Sequence, residues 1–192
     1  MGLWIRPSCA SLSVMKKGRI IIPANRKPWR HELRIASILA DAGFEVVFIE
    51  ESNAKTADIL LNGVCFEIKS PITNKPDKLE RNIKRGLKQS KNIIFDSFRI
   101  KNMRDDVLQR FLIKKVREQK QIGKMILVTK RGKIIDINSL IWYYWLNEVL
   151  ARGSMLLPQE LLFAQKYSPN LRMGWCGYSR TIYAYNLKKS KD

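Results

Sequence analysis

Asp58 stands before the dipeptide Asn62-Gly63, and Glu67 and Lys69 stand after it, within the β-prone runs Ala57 to Leu61 and Val64 to Ser70. Asn-Gly between two such runs is a strong signal for a two-residue hairpin turn. With that turn, Leu61 pairs with Val64, Leu60 with Cys65, Ile59 with Phe66, and Asp58 with Glu67. Strand side chains alternate, so Asp58, Leu60, Cys65, Glu67 and Lys69 share one face, while Ile59, Leu61, Val64, Phe66 and Ile68 line an apolar one. Asp58 and Glu67 then face each other with Cβ atoms about 5 Å apart. Like charges across a ladder repel, so this placement calls for a cation between them. A hard divalent ion such as Mg²⁺ suits it, because Mg²⁺ takes one or two carboxylates, several waters and a phosphate oxygen. Lys69 reaches the same point, and a plain surface ion triad is the other reading of these three residues.

Two further sets bear on the same chemistry. In a helix over Trp29 to Ala42, the positions Trp29, Leu33, Ile35, Ala36, Leu39 and Ala40 form the apolar face, and Glu32 falls in its middle. A carboxylate there needs a cation, a donor or an opening to a site. It could equally be a first-turn acid favoured by the helix dipole. In a helix over Lys78 to Ser90, Leu79, Ile83 and Leu87 make the buried stripe. Lys78, Arg81, Lys84, Arg85, Lys88 and the following Lys91 lie opposite, with Asn82 and Gln89 on one flank. Such a face is either solvated or suited to phosphates.

These residues must be held by a larger set of elements. Arg19 to Ile22 reads as a short strand, Glu45 to Ile49 and Asn92 to Asp96 as strands, and Arg104 to Gln121 as a basic helix. Lys124 to Thr129 and Lys133 to Ile137 form a second hairpin about Arg131-Gly132. The order is strand, helix, three strands, helix, strand, helix, hairpin, which predicts an α/β mixed sheet flanked by helices. From Ser139 the texture changes. Leu140 to Ala151 reads as an aromatic helix, Pro158 to Tyr167 as another, and Thr181 to Tyr185 as a late strand. The aromatics of this segment, Trp142, Tyr144, Trp145, Trp175 and Tyr178, either pack on the core or stack on unpaired bases.

Composition narrows the partner. Over 192 residues there are 36 Lys and Arg against 17 Asp and Glu, a net charge of +19. That excess raises the energy of the compact state and makes sense beside a polyanion. The stretch from Lys69 to Lys133 alone holds 20 basic and 6 acidic residues, so the charge belongs to the folded domain rather than to a tail. With 3 Cys and no C-x-x-C spacing, neither a disulfide framework nor a zinc knuckle is expected. The lone His31 excludes a multi-histidine metal site. No signal peptide, lipidation signal or membrane span is legible, so no membrane partner is expected and a reducing cytoplasm is the expected place of action.

Taken together, Glu32, Asp58, Glu67-Ile68-Lys69 on a hairpin and a following helix with Gln89 resemble the PD-(D/E)xK nuclease superfamily. The longer pattern is similar to the C-terminal tRNA nuclease domain of CdiA-type contact-dependent growth-inhibition toxins. It comprises His31-Glu32, Ala36, Gly43, Ala57-Asp58-Ile59, Asn62-Gly63, Phe66 to Pro71 and Lys88-Gln89-Ser90. Ala57 stands where the superfamily name has Pro, at a position that ligates nothing. The resemblance implies a restriction-endonuclease-like fold and a metal-dependent endonuclease, with tRNA as substrate and a cognate immunity protein as partner. It implies Asp58 and Glu67 as ligands of a divalent metal, Mg²⁺ foremost with Mn²⁺ or Zn²⁺ as substitutes. Glu32 would support the metal directly or through water, and Lys69 would act on the attacking water. Lys84, Arg85, Lys88, Gln89 and Lys91 would hold nucleic acid. The expected organisation is a lead-in at 1–17, the nuclease domain at 18–138, and a helical, aromatic C-terminal extension at 139–192. A DNA endonuclease of a phage or mobile element, and a non-catalytic nucleic-acid-binding module, are the alternatives.

Overall fold

The computed structural model of the protein describes residues 17–50, 56–152, 172–175 and 182–185. Its elements are β1 (Ile20–Ile21), α1 (Arg30–Asp41), β2 (Val46–Phe48), β3 (Ile59–Leu61), β4 (Val64–Lys69), α2 (Pro76–Gly86) and β5 (Asn92–Asp96). They continue with α3 (Asp105–Glu118), β6 (Lys124–Val128), β7 (Ile134–Asp136), α4 (Ile137–Arg152), β8 (Arg172–Trp175) and β9 (Ile182–Tyr185). β1 to β7 form one seven-stranded sheet in chain order, and β8 pairs with β9 in a separate two-stranded sheet. The expected strand at Thr181 to Tyr185 is β9, its partner β8 was not foreseen, and the helix expected at Pro158 to Tyr167 lies outside the described residues.

Parallel and antiparallel pairing alternate in blocks. β1–β2, β4–β5 and β5–β6 are parallel, each pair joined through a helix, whereas β2–β3, β3–β4 and β6–β7 are antiparallel. This follows from connection length, since a parallel return needs a crossover of a dozen or more residues and a hairpin needs two. The Asn62-Gly63 turn has φ of 48° and 79°, the two positive values of the primed turn that matches strand twist. It sets the expected register, Leu61↔Val64, Leu60↔Cys65 and Ile59↔Phe66.

The central strands are buried on both faces. Ile94, Ile126 and Val128 join Ile35, Ala36 and Leu39 of α1, together with Ile59, Phe66 and Ile68, in one apolar cluster. Ile93, Phe95, Met125 and Leu127 face the other way, into a cluster with Leu79 and Ile83 of α2, Leu108 and Leu112 of α3, and Ile141 of α4. α1 therefore covers one face of the sheet and α2, α3 and α4 cover the other, which is why β5 and β6 read as continuous apolar runs.

Helix boundaries have local causes. α1 ends where Gly43 adopts φ 90°, with Gly43 N–H on Ala40 O at 2.9 Å and Phe44 N–H on Leu39 O at 3.0 Å, a Schellman closure. Trp29 and Leu33, expected inside, are 69% and 38% exposed, because the buried stripe of α1 is narrower and runs Glu32, Ile35, Ala36, Leu39, Ala40. α2 begins at Pro76, two residues earlier than expected, since proline suits the first helical turn. α4 begins at Ile137 rather than Leu140. Asp136 Oδ1 accepts the N–H groups of Asn138 and Ser139 at 3.0 and 3.3 Å and so caps the helix directly at the end of β7.

The packed core thus runs past Asn138 into α4, where Ile137 and Ile141 are fully buried and Trp142 nearly so. Ile141→Ala should lower stability by about 2–5 kcal/mol, the usual range for truncating a fully buried aliphatic side chain. Urea midpoints of the two proteins would measure it, and a change below 1 kcal/mol, as at an exposed position, would show that α4 is not part of the core.

Candidate active site

The site is built where β4 leaves the β3–β4 hairpin and passes beneath α2. Glu67 and Lys69 sit opposite Ile93 and Phe95 of β5, so both point to the face that α2 covers. α2 packs closely on them at Gly86. A Cβ there would meet Lys69 Cε at 3.2 Å and Ile93 Cδ1 at 3.3 Å, tight contacts, and Glu67 Cγ at 3.5 Å, an ordinary one, so a side chain would crowd Lys69 first. The expected surface hairpin is therefore closed over at its base and open only at its tip, where Val64 is 48% exposed rather than inside the core.

Glu67 is 2% exposed. Its Oε1 accepts a hydrogen bond from Lys69 Nζ, while its Oε2 is buried without a hydrogen-bond partner among the described residues. Burial pushes the Glu67 carboxyl up to about 7 from 4.5; Lys69 opposes the shift and the neighbouring Asp58 carboxylate adds to it. Asp58 lies one residue before β3. Its Oδ2 accepts the N–H of Ile68 at 2.8 Å, which draws the carboxylate toward β4 beside Glu67. The ladder itself ends at Ile59↔Phe66, and Asp58 is near enough that its charge raises the Glu67 pKa.

Glu32 and Arg26 complete the cluster from the N-terminal side. Glu32 is 6% exposed, and its Oε2 accepts the N–H of Trp29 at 2.9 Å, half of a capping box at the start of α1. Arg26 Nη2 lies 3.3 Å from the same oxygen and 3.7 Å from Asp58 Oδ1, so the buried guanidinium bridges the two acids. Burial raises the Glu32 pKa first, Asp58 adds to it, and the Trp29 N–H and Arg26 oppose it. Arg26 was not foreseen. It lies on no periodic element; Glu32 is six residues away, but Asp58 comes from before β3, far along the chain.

A second node unseen in the sequence lies next to Lys69. Asp96, fully buried at the end of β5, accepts from Ser70 Oγ at 2.8 Å, Arg34 Nη1 at 3.0 Å and Phe98 N at 3.1 Å. Arg34 also donates to the carbonyls of Thr129 and Lys130 at 3.4 and 3.1 Å. One carboxylate and one guanidinium thereby bind the C-terminal ends of β4, β5 and β6 to α1. The only advance sign was an acid ending an apolar run.

Whether these residues suit a metal can be judged from the oxygens left over. Among the described residues no three His, Cys, Asp or Glu gather as a metal-holding group. The available donors are the Asp58 and Glu67 carboxylates, hard oxygens with mutual repulsion and one buried oxygen unsatisfied. That set fits a divalent cation that takes its remaining ligands from water and phosphate. Glu32, expected as a further ligand, has its Oε2 turned to Trp29 and Arg26.

The basic residues fall on the outer side of α2 and the turn after it. Lys84, Arg85, Lys88 and Lys91 are exposed and Gln89 is half-buried. Because α2 stops at Gly86, Lys88 and Gln89 belong to the turn, not to the helix flank expected for them. Lys84 also pairs with Glu80 at 2.8 Å, and Asn82 is tied to its own helix through Lys78 O at 2.8 Å. A groove with Lys78, Arg81 and Arg85 on its walls runs along this helix.

Comparison with known proteins bears on this region. The model of the contact-dependent growth inhibition CdiA C-terminal domain family matches residues 55–134. That span runs from just before Asp58 to the start of β7. Among solved structures, the chain is similar to the CdiA-CT/CdiI toxin and immunity complex from Burkholderia pseudomallei. The match has 19% identity and a TM-score of 0.47, covering 61% of this chain and 96% of that one. No curated protein matches the chain. No helix among the described residues is long and apolar enough to cross a membrane.

The buried Glu67 carries a pH signature of its own. Its folded-state pKa is raised, so in chelator the folded protein holds a proton there that the unfolded chain releases. Stability should therefore fall as pH rises from 4.5 to about 7. Glu67→Gln should remove that part of the dependence, and thermal melts across this range would show it. A parent and variant with parallel melting profiles would mean that Glu67 is not desolvated.

Proposed function

We propose that this chain is a metal-dependent endonuclease of the PD-(D/E)xK kind, on a restriction-endonuclease-like fold, hydrolysing phosphodiester bonds of RNA. The observation that carries this reading is the buried Glu67, set beside Asp58 and bonded to Lys69, with one oxygen unsatisfied. Buried carboxylate oxygens are mostly hydrogen-bonded, so an unpaired one beside a second acid is a place where a cation would be favoured. The match of residues 55–134 to the CdiA C-terminal domain family supports the reading, as does the charge of +19.

In this reading Asp58 and Glu67 hold the cation, Mg²⁺ foremost. Such an ion polarises a bound phosphate and lowers the pKa of a coordinated water. Lys69 fixes the orientation of Glu67, positions the attacking water and offsets the charge that develops on phosphorus oxygens. Arg26 and Glu32 hold Asp58 in place from behind. Gly86 lets α2 lie close enough to exclude bulk water from Glu67. Arg85, Lys88 and Lys91, with Lys84 and Gln89, track the backbone of the substrate. The nuclease domain spans 18–138 and the remainder is an extension whose first turns belong to the core. tRNA as the target, a toxin role and a cognate immunity protein are the further parts of this proposal, and they rest on the family resemblance.

Incubation with total RNA, tRNA and plasmid DNA, with and without Mg²⁺, tests the proposal. RNA cut only with metal supports it, DNA cut instead makes the chain a DNA endonuclease, and binding without cutting makes it a binding module. Asp58→Ala and Glu67→Ala should abolish cutting while binding persists. Lys69→Ala should slow the chemical step on the order of 10²-fold with substrate affinity retained. A Lys69 variant as fast as the parent would reduce that lysine to a salt-bridge partner.

The basic face has its own measurement. Affinity should fall linearly on a log scale with salt, with a slope set by the phosphates neutralised. Arg85→Glu with Lys88→Glu should flatten that slope without moving the cut position. An unchanged slope would mean that these side chains are merely solvated.

A further inference from the structure

We infer that Phe98 is a stacking platform for an unpaired base of the bound strand, on a loop tied through Asp96 to the β-strand that carries Glu67 and Lys69; the inference rests on reading the Asp58, Glu67 and Lys69 cluster as a nucleic-acid site. Phe98 opens the loop that joins β5 to α3, at the C-terminal ends of the parallel strands β4, β5 and β6. Crevices at such ends are where open α/β sheets take their ligands.

The residue is 55% exposed, yet its surroundings hold it still. Its N–H donates to the buried Asp96 at 3.1 Å, and the guanidinium of Arg34 lies over its ring, 4.0 Å from the centroid. Arg34 is itself fixed by Asp96 and by the carbonyls of Thr129 and Lys130. The loop is pinned on either side of the ring. Ser97 N–H bonds Val128 O at 3.0 Å, Ser97 Oγ bonds Asp105 at 2.6 Å, and Ile100 is 2% exposed with its N–H on Ser97 O.

Such an aromatic is neither a core residue nor a loosely exposed one. Five hydrogen bonds to the carboxylate of Asp96 and the guanidinium of Arg34 position a ring that leaves more than half of its residue to solvent. Base stacking on a preformed aromatic face tolerates any sequence and loses little side-chain freedom. Arg99 and Lys101 share the loop and would add charge for adjoining phosphates, whereas Arg104 is paired with Asp106 at 3.0 Å. The connection to the cluster is short: Ser70, which follows Lys69 directly, bonds the same carboxylate as Phe98. The β-strand that carries Lys69 and the loop that carries Phe98 are thus tied to one frame. The ligand class is an unpaired nucleotide, not a continuous duplex, whose bases expose no face.

The test is binding of fluorescent oligouridylate, oligoadenylate and a blunt RNA duplex in chelator, where cutting is suppressed. Phe98→Ala should weaken both single strands about tenfold and leave the duplex unchanged. Phe98→Trp should bind like the parent, whereas Phe98→Leu, which fills similar space without a π face, should bind like Phe98→Ala. Single strands bound as tightly by Phe98→Ala as by the parent would overturn the platform, and so would Phe98→Leu matching Phe98→Trp. Parent protein cutting RNA with Mg²⁺ while the platform test fails would leave the nuclease reading intact. Parent protein that passes the platform test but cuts nothing would remove the nuclease reading and keep the platform.

Discussion

The desolvation of one carboxylate organises this molecule. Glu67 lies under α2, on the sheet face that is otherwise filled by leucine, isoleucine and phenylalanine side chains. A charge removed from water there must be compensated or neutralised. Lys69 compensates one oxygen, and among the described residues the other has no hydrogen-bond donor. Asp58 makes the balance worse rather than better. The arrangement is held because β4 is paired on both sides, to β3 and to the fully buried β5.

From that constraint several local choices follow. The helix α2 packs closely over Glu67 and Lys69 at Gly86, where a side chain would crowd Lys69 and Ile93. The carboxylate of Asp58 is drawn into line by the Ile68 N–H, which the end of the β3–β4 ladder leaves free to donate to it. Arg26, buried between Asp58 and Glu32, supplies a positive charge on the far side of the cluster and keeps three acids from accumulating unpaired. Removing one partner from such a set is costly because the others remain buried and charged.

A similar device recurs at the strand ends. Asp96 and Arg34 bind β4, β5, β6 and α1 together with charge-assisted hydrogen bonds, which are shorter and stronger than neutral ones. The first cluster leaves one buried oxygen without a donor among the described residues, whereas the second is fully engaged and serves as a frame. The two adjoin through Lys69 and Ser70, so the strand that carries Glu67 and Lys69 is held by its hydrogen-bonded neighbour.

The order and type of the elements of the main sheet, the hairpin register and the nearness of Asp58 to Glu67 were all legible in the chain. Each depends on local rules: the Asn62-Gly63 turn sets the register, and side-chain alternation sets the face. The apolar stripe of α2 was legible for the same reason. Burial of Glu67, the exposure of Val64 and Trp29, the bridge of Arg26 and the Asp96–Arg34 node were not. These depend on which helix crosses which strand, and at what distance. A lone arginine or an acid at the end of a strand carries no periodic signal of its partner. Local chain geometry determined which residues could meet; only tertiary packing decided which of them lost their water, because desolvation is a property of everything that surrounds a side chain and not of its own position in the sequence.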